Sequence, residues 1–373
     1  MTEAIEEVKE HSPAHGEILH KYQTAAQLAN KALIFALSQV KAGASVLDIC
    51  RRTDEELVAL ASKVYNKGRL LKGVAFPCCV SVNNVLGYFS PVDSEYDMNL
   101  QDGDLVKIEL GAHIDGFPAL VGSSVVVGAS KDNPVTGPAA NLVHAAHLVS
   151  EATLRLLRAG KTSKEVAEII KKMTSELGVN FVEGMISHSI NKNRLADEKM
   201  IVVRPAEGQA KMIETSTFSN YDVFVIDISL SSGKGSIRAS RKHQTTVYKR
   251  TEQNHSLRLK TSRGVINEIQ SKFGLMAFNL RSLENVNRAR LALNEATQHQ
   301  VTTAYEVLEE KDKETLTARF MFTVIVMPAG PLKITDYRYA SENVKATNTF
   351  KSKDLIDLLD TPVRAKKERK TAP

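Results

Sequence analysis

Two acidic residues occupy matching places in two strand-like runs, and paired carboxylates are what a hard dication needs. Glu109 lies in Asp104-Leu105-Val106-Lys107-Ile108-Glu109-Leu110, and Asp227 in Asp222-Val223-Phe224-Val225-Ile226-Asp227-Ile228. The second run follows the first at an offset of 222 − 104 = 118 residues. Lys41-Ala42-Gly43 and Arg158-Ala159-Gly160 repeat at nearly the same spacing, 160 − 43 = 117. Two echoes in one order predict two similar halves about a pseudo-two-fold axis. In such a molecule Glu109 and Asp227 point into one pocket. The plainer alternative is a pair of solvent-facing strand acids.

A second kind of chemistry is suggested by charge. Arg241, Lys242, Lys249, Arg250, Arg258, Lys260 and Arg263 stand against the single acid Glu252 in this stretch. Its local excess, 7 − 1 = 6, equals the formal charge of the whole chain, +6, so the remainder is balanced. His243, Tyr248 and His255 are interleaved and could stack on bases or donate to phosphates. Arg281, Arg288, Arg290 and the tail cations Arg364, Lys366, Lys367, Arg369 and Lys370 could extend the footprint. A solvated loop whose charges aid solubility is the alternative. No zinc finger, aromatic RNA-reading signature or base-reading loop is present, so recognition would be by backbone and shape.

Other motifs carry less. The run SSGKG at 231–235 lacks P-loop spacing and reads as a turn after a strand. Cys50, Cys78 and Cys79 offer neither a disulfide framework nor a CxxC pair, which suits a reduced, intracellular protein. Cys78 and Cys79 read as buried strand residues.

The elements that must hold these residues follow from periodicity. Apolar positions at helical spacing run through 14–42, and Ser45 is placed to cap a second helix reaching about Tyr65. Strands are expected at 74–82, 104–110 and 119–127, helices at 136–158 and 163–176, and further strands near 198–204, 222–230 and 244–249. After Arg250 the pattern changes. Residues 251–316 read as a helical insertion, with one long helix over roughly 284–311, before strand-like 318–328 resumes the sheet. Residues 1–13 read as a flexible acidic start and 341–373 as an extension with a basic, disordered end. No run of 18 or more apolar residues suggests a membrane span.

With strands and duplication in place, the chain resembles the methionine aminopeptidases, prolidases and creatinases: an α/β (α+β) pita-bread fold of pseudo-two-fold duplicated halves over 14–340. An insertion between the last strands is characteristic of type II aminopeptidases. The stretches FPCCVSVNNVLGYFSP, GDLVKIELGAHIDGF, EGMISHSI, SSGKG, LKTSRG and ARFMFTVIVMPAGPLKIT are most similar to the proliferation-associated and curved-DNA-binding branch of that family.

The resemblance implies where two metal ions would sit. The five ligand positions of the active enzymes fall on Glu109, Leu120, His188, Asp227 and Met321, and two substrate-contacting histidines fall on Tyr88 and Ala196. Leu120 cannot bind a metal, and Met321 is a poor ligand beside oxygen donors. Glu109, His188 and Asp227 could hold at most one weak ion. Glu109 and Asp227 should repel each other when buried, with His188 the candidate cation to relieve them; His188 also reads as a plain core histidine. The expectation is a protein without catalytic residues or cofactor, monomeric, nuclear and cytoplasmic. It would bind curved DNA or structured rRNA, the latter on the large ribosomal subunit, with protein partners possible. A peptide- or protein-binding module using the old cleft, suited to a polypeptide N-terminus, is the alternative.

Overall fold

The computed structural model describes residues 11–68, 70–209 and 213–364. The tail cations Lys366, Lys367, Arg369 and Lys370, and the acidic start before residue 11, lie outside the described residues.

The chain opens with α1 (Gly16–Ser38) and α2 (Val46–Ser62). The stripe of α1 that includes Tyr22, Ala25, Ala29, Ala32 and Ala36 is buried, and its alanines allow close approach to a sheet. Ser45 caps α2 as expected, its Oγ accepting from Asp48 N at 3.0 Å. Then come β1 (Lys72–Val82), β2 (Val85–Gly87), β3 (Leu105–Ile114) and β4 (Phe117–Val126).

The second half repeats this order with α3 (Gly137–Leu156) and α4 (Ser163–Leu177). Thr162 and Glu165 form a capping box at the start of α4, and Gly178 ends it at φ 69°. Short strands β5 (Asn180–Phe181), β6 (Ile186–Ser189) and β7 (Met200–Val202) lead to β8 (Val223–Ser231) and β9 (Ile237–Ala239).

The stretch expected as a helical insertion over 251–316 is instead mixed: after β10 (Val247–Arg250) come α5 (Lys260–Phe273), β11 (Ala277–Asn279), α6 (Val286–Gln298), β12 (Thr302–Tyr305) and β13 (Leu308–Glu310). The expected long helix over 284–311 is therefore wrong in its second half, where Gln300 turns at φ 58° and two strands follow. β14 (Thr317–Ile325), β15 (Leu332–Lys333) and α7 (Lys353–Asp360) complete the chain.

The main sheet runs β1-β3-β4-β14-β8-β6-β7, so the two halves meet where β4 pairs with β14. Every residue of β3, β8 and β14 is buried, as befits strands covered on both faces. Helix α1 packs on β3 and β4, and α3 on β8 and β14. The duplication extends to single hydrogen bonds. Gly43 N donates to Leu100 O at 2.7 Å, and Gly160 N to Phe218 O at 2.9 Å, at offsets of 117 and 218 − 100 = 118. In the extension, Phe350 and Leu355 are buried in the same core, and Glu176 accepts from Ser352 Oγ at 2.7 Å.

Two small sheets line the remaining side. One, β11-β10-β12, is backed by α5 and α6; the other, β2-β13-β9, ties the insertion to the main domain.

Candidate functional site

Strand register builds the site. Glu109 on β3 faces Gly122 on β4, Gly122 faces Met321 on β14, and Met321 faces Asp227 on β8, a single row across four strands. Period-two alternation brings Arg319 to the same face of β14 as Met321. These residues, with Tyr88, Leu120, His188 and Ala196, line one cavity of about 230 Å³. All seven positions singled out by the sequence reading are thus brought together. Arg319 was not among them.

Its guanidinium lies between the two acids. Arg319 Nη1 donates to Glu109 Oε2 at 2.5 Å, Nη2 to Asp227 Oδ2 at 2.6 Å, and Nε to both Asp227 oxygens at 3.0 Å. Tyr88 N donates to Glu109 Oε1 at 2.7 Å, and Ser229 Oγ to Asp227 Oδ1 at 2.7 Å. The three charged residues are each 4 % exposed. Burial disfavours the charged guanidinium, but Asp227 and then Glu109 outweigh it and hold its pKa well above the ordinary value. Burial raises Glu109, with Arg319 offsetting part of the rise. The Tyr88 ring lies 5.3 Å from the guanidinium carbon. A Cβ at Gly87 would stand 2.7 Å from Arg319 Nη1 and 3.0 Å from Glu109 Oε1, so this close approach requires glycine.

The expected relief of Glu109 and Asp227 by His188 is corrected on this point. Burial lowers the His188 pKa, so the ring is favoured neutral, and its Nδ1 lies 3.3 Å from Ser189 O. The cation is Arg319.

A pair of divalent ions does not fit these residues. Leu120 and Met321 supply no hard donor, and a guanidinium fills the space between the two acids. Among the described residues, no group of three His, Cys, Asp or Glu could hold an ion.

The basic segment divides. Arg241, Lys242, Arg258 and Lys260 are exposed, and among the described residues they form no ion pair. Arg241 and Lys242 follow Ser240, which bonds to Val307 past one end of β12; Arg258 N bonds to Glu295 beside the other end. Exposed Arg288 on α6 adds a further cation. Three of the expected set behave differently. Lys249 is half-buried and lines the cavity. Arg250 donates to Asn254 Oδ1 at 2.9 Å, and Arg263 braces its own loop through Leu257 O at 2.8 Å. Arg281 belongs to the interior, where it pairs with Asp54 and donates to Ser90 Oγ at 2.8 Å. Arg290 pairs with Asp93 at 3.6 Å. The expected stacking groups are also partly engaged: Tyr248 packs on Phe278, His243 on Phe89, and exposed His255 on His299. The three cysteines are free and buried.

The fold and this row of residues define a duplicated pita-bread domain. A model of metallopeptidase family M24 matches residues 20–241, and the chain belongs to that family. Within it, the chain is 34% identical to a curved DNA-binding protein of Schizosaccharomyces pombe, covering 97% of this chain and 94% of that one. It is 36% identical to an ERBB-3 binding protein 1 of Solanum tuberosum, covering 99% and 94%. Both relatives are named for binding and not for an enzymatic activity. A solved structure of a thermophilic Arx1 superposes with a TM-score of 0.87 at 26% identity, covering 94% of this chain and 99% of that one.

Proposed function

We propose that the chain is a non-enzymatic nucleic-acid-binding protein built on an inactivated aminopeptidase scaffold. Its ligand is curved DNA or structured RNA, the latter within the large ribosomal subunit, and it works in nucleus and cytoplasm as a monomer. The observation that carries this reading is the set of exposed cations on and beside the insertion, Arg241, Lys242, Arg258, Lys260 and Arg288, none of them in an ion pair among the described residues. Charges held for stability would be paired or packed; charges left in water around a rigid insertion are available to phosphates. With Tyr248 and His243 packed against Phe278 and Phe89, base stacking contributes little, which fits recognition by backbone and shape. The name of the fission-yeast relative points the same way. On the catalytic side, Arg319 pairs with both acids without supplying the Lewis acidity that activates water.

Binding to a bent duplex and to a structured rRNA fragment, measured across salt concentrations, tests the proposal. Five phosphate contacts on duplex give a slope of log K against log salt of roughly −4 to −5. Reversing Arg241, Lys242, Arg258 and Lys260 to Glu should flatten that slope by about 3 to 4. A wild-type slope near zero, or no change on reversal, removes the reading.

The alternative of a cleft for a polypeptide N-terminus is disfavoured by geometry. Each oxygen of Glu109 and Asp227 already accepts at least one hydrogen bond, so a terminal ammonium finds no free acid.

A further inference from the structure

We propose that the cavity beside Arg319 is a receptor site for a carboxylate on a small apolar body, with Lys249 as its counter-charge. Lys249 stands on β10, the middle strand of the insertion sheet, with its side chain on the cavity wall. It is half-buried, and among the described residues its ammonium forms no hydrogen bond or ion pair. A partly desolvated ammonium without a partner is costly, and an anion placed against it recovers that cost. Burial lowers the Lys249 pKa, and a bound carboxylate would raise it again.

The rest of the wall sets the body of the ligand. Phe76, Tyr88, Leu120, Leu195, Tyr305 and Met321 surround the space with aromatic and aliphatic surface. Phe76 and Tyr305 meet edge to face at 5.0 Å, and Tyr88 and Tyr305 lie tilted at 5.4 Å, so the wall is held by its own packing. His188 adds a ring favoured neutral. The acids have no unoccupied oxygen to offer a cation. Asp227 Oδ1 accepts from Arg319 Nε and Ser229 Oγ, Asp227 Oδ2 from Nε and Nη2, and the Glu109 oxygens from Tyr88 N and Arg319 Nη1. With both acids ionised, Arg319 leaves the triad at 1 − 2 = −1, and Lys249 brings the cavity wall to zero. Two carboxylates that could have met an ammonium are closed off, and Lys249 is the charge left open.

The cavity continues outward. Lys249, Leu195, Ala196 and Thr303 also line an outer pocket of about 590 Å³, where Arg194 is already paired with Asp197 at 3.0 Å and Glu252 at 3.7 Å. A free aryl- or alkyl-carboxylate would fill the inner space alone. The apolar C-terminal residue of a polypeptide offers the same chemistry, with its chain leaving through the outer pocket.

Calorimetric titration of the full chain separates these cases. The probes are 4-phenylbutyrate, its amide, 4-phenylbutylamine, and acetyl-Gly-Gly-Phe as free acid and as amide. The acids should bind roughly 10- to 100-fold more tightly than their amides, and the amine not at all. Lys249→Gln should reduce acid binding to the level of the amide, while Lys249→Arg keeps most of it. Binding of 4-phenylbutyrate alone identifies a free small acid as the ligand, and tighter binding of the peptide acid identifies a polypeptide C-terminus. The proposal is overturned if the amine binds as well as the acid, if Lys249→Gln binds like wild type, or if no acid binds at millimolar concentration. A urea midpoint for Lys249→Gln that is unchanged or raised excludes misfolding. Its nucleic-acid affinity should also be unchanged, which keeps this test separate from that of the exposed cations.

Discussion

A guanidinium and a pair of divalent ions neutralise buried carboxylates in different ways. Ions add Lewis acidity and open coordination positions; Arg319 adds five fixed donors and stays charged at any accessible pH. Four of its hydrogen bonds reach Glu109 and Asp227, so removing it strands two buried acids. Arg319→Met should cost about 3–5 kcal/mol, read from urea unfolding at pH 8. Glu109 already sits above the usual carboxylate range through burial, so between its unfolded and folded pKa values the folded chain holds more protons. Its contribution to stability therefore falls as pH rises through that window. Loss of the guanidinium widens the window, and the deficit of Arg319→Met should shrink at pH 5. The combined Glu109→Gln, Asp227→Asn, Arg319→Met variant should regain most of the loss. A cost below about 1 kcal/mol for the single change would mean that Arg319 is not what balances the acids. Duplication written in period-two strands showed the two acids, and the resemblance to the aminopeptidases placed Leu120 and Met321 beside them. Arg319 was legible in principle. It lies two residues before Met321 in Ala318-Arg319-Phe320-Met321, and alternation places both on the face that holds two unpaired acids.

At the scale of elements, the insertion is bound to the main sheet but carries its own core. Val265, Ile269, Phe278, Leu280, Leu283 and Leu293 form a cluster separate from the one that α1 and α3 make with the main sheet. Ile269 is fully buried within it. Ile269→Ala should cost about 2–5 kcal/mol, and amide exchange should accelerate in α5, α6 and β11 while β8 and β14 keep their protection. Equal acceleration in β8 and β14 would show that insertion and sheet open as one unit. This is also where periodicity misleads. The amphipathic pattern of α6 continues past Gln298, yet Val301, Thr302, Thr303 and Tyr305 are β-branched or aromatic, and the last three pair with β10. A glutamine at positive φ, not a glycine, makes the break, so the stop carries no strong local mark. Elsewhere the caps announced themselves, as Ser45 did for α2. Lys249 shows the complementary difficulty. A run of basic residues looks uniform in sequence, but strand alternation in β10 turns one of them inward.

For the whole molecule, the response to acid follows from histidines enclosed as neutral rings. Burial pulls His113 and His147 down to about 4 from an ordinary value of 6.5. His113 Nδ1 accepts from Gly116 N at 3.3 Å, a bond that protonation at Nδ1 destroys. His147 Nδ1 meets the Tyr337 hydroxyl at 3.0 Å, and that hydroxyl in turn donates to Glu151 Oε1 at 2.9 Å. Because the folded pKa lies below the unfolded one, the unfolded chain binds more protons between pH 6.5 and 4. The stabilisation is complete above 6.5 and is lost as pH falls through the window. Each group contributes at most about 1.4 kcal/mol per pH unit, less for the partly exposed His147. Glu109 and Asp54, raised by burial, act in the opposite direction, but His144, His188 and His243 are lowered as well as these two imidazoles, so the net slope should favour higher pH. The urea midpoint should therefore drop steadily from pH 7 to 5, and His113→Gln with His147→Gln should flatten the drop even if the double variant is less stable at pH 7. A midpoint independent of pH in the wild type, or a slope untouched by the double variant, would place the acid response on other groups.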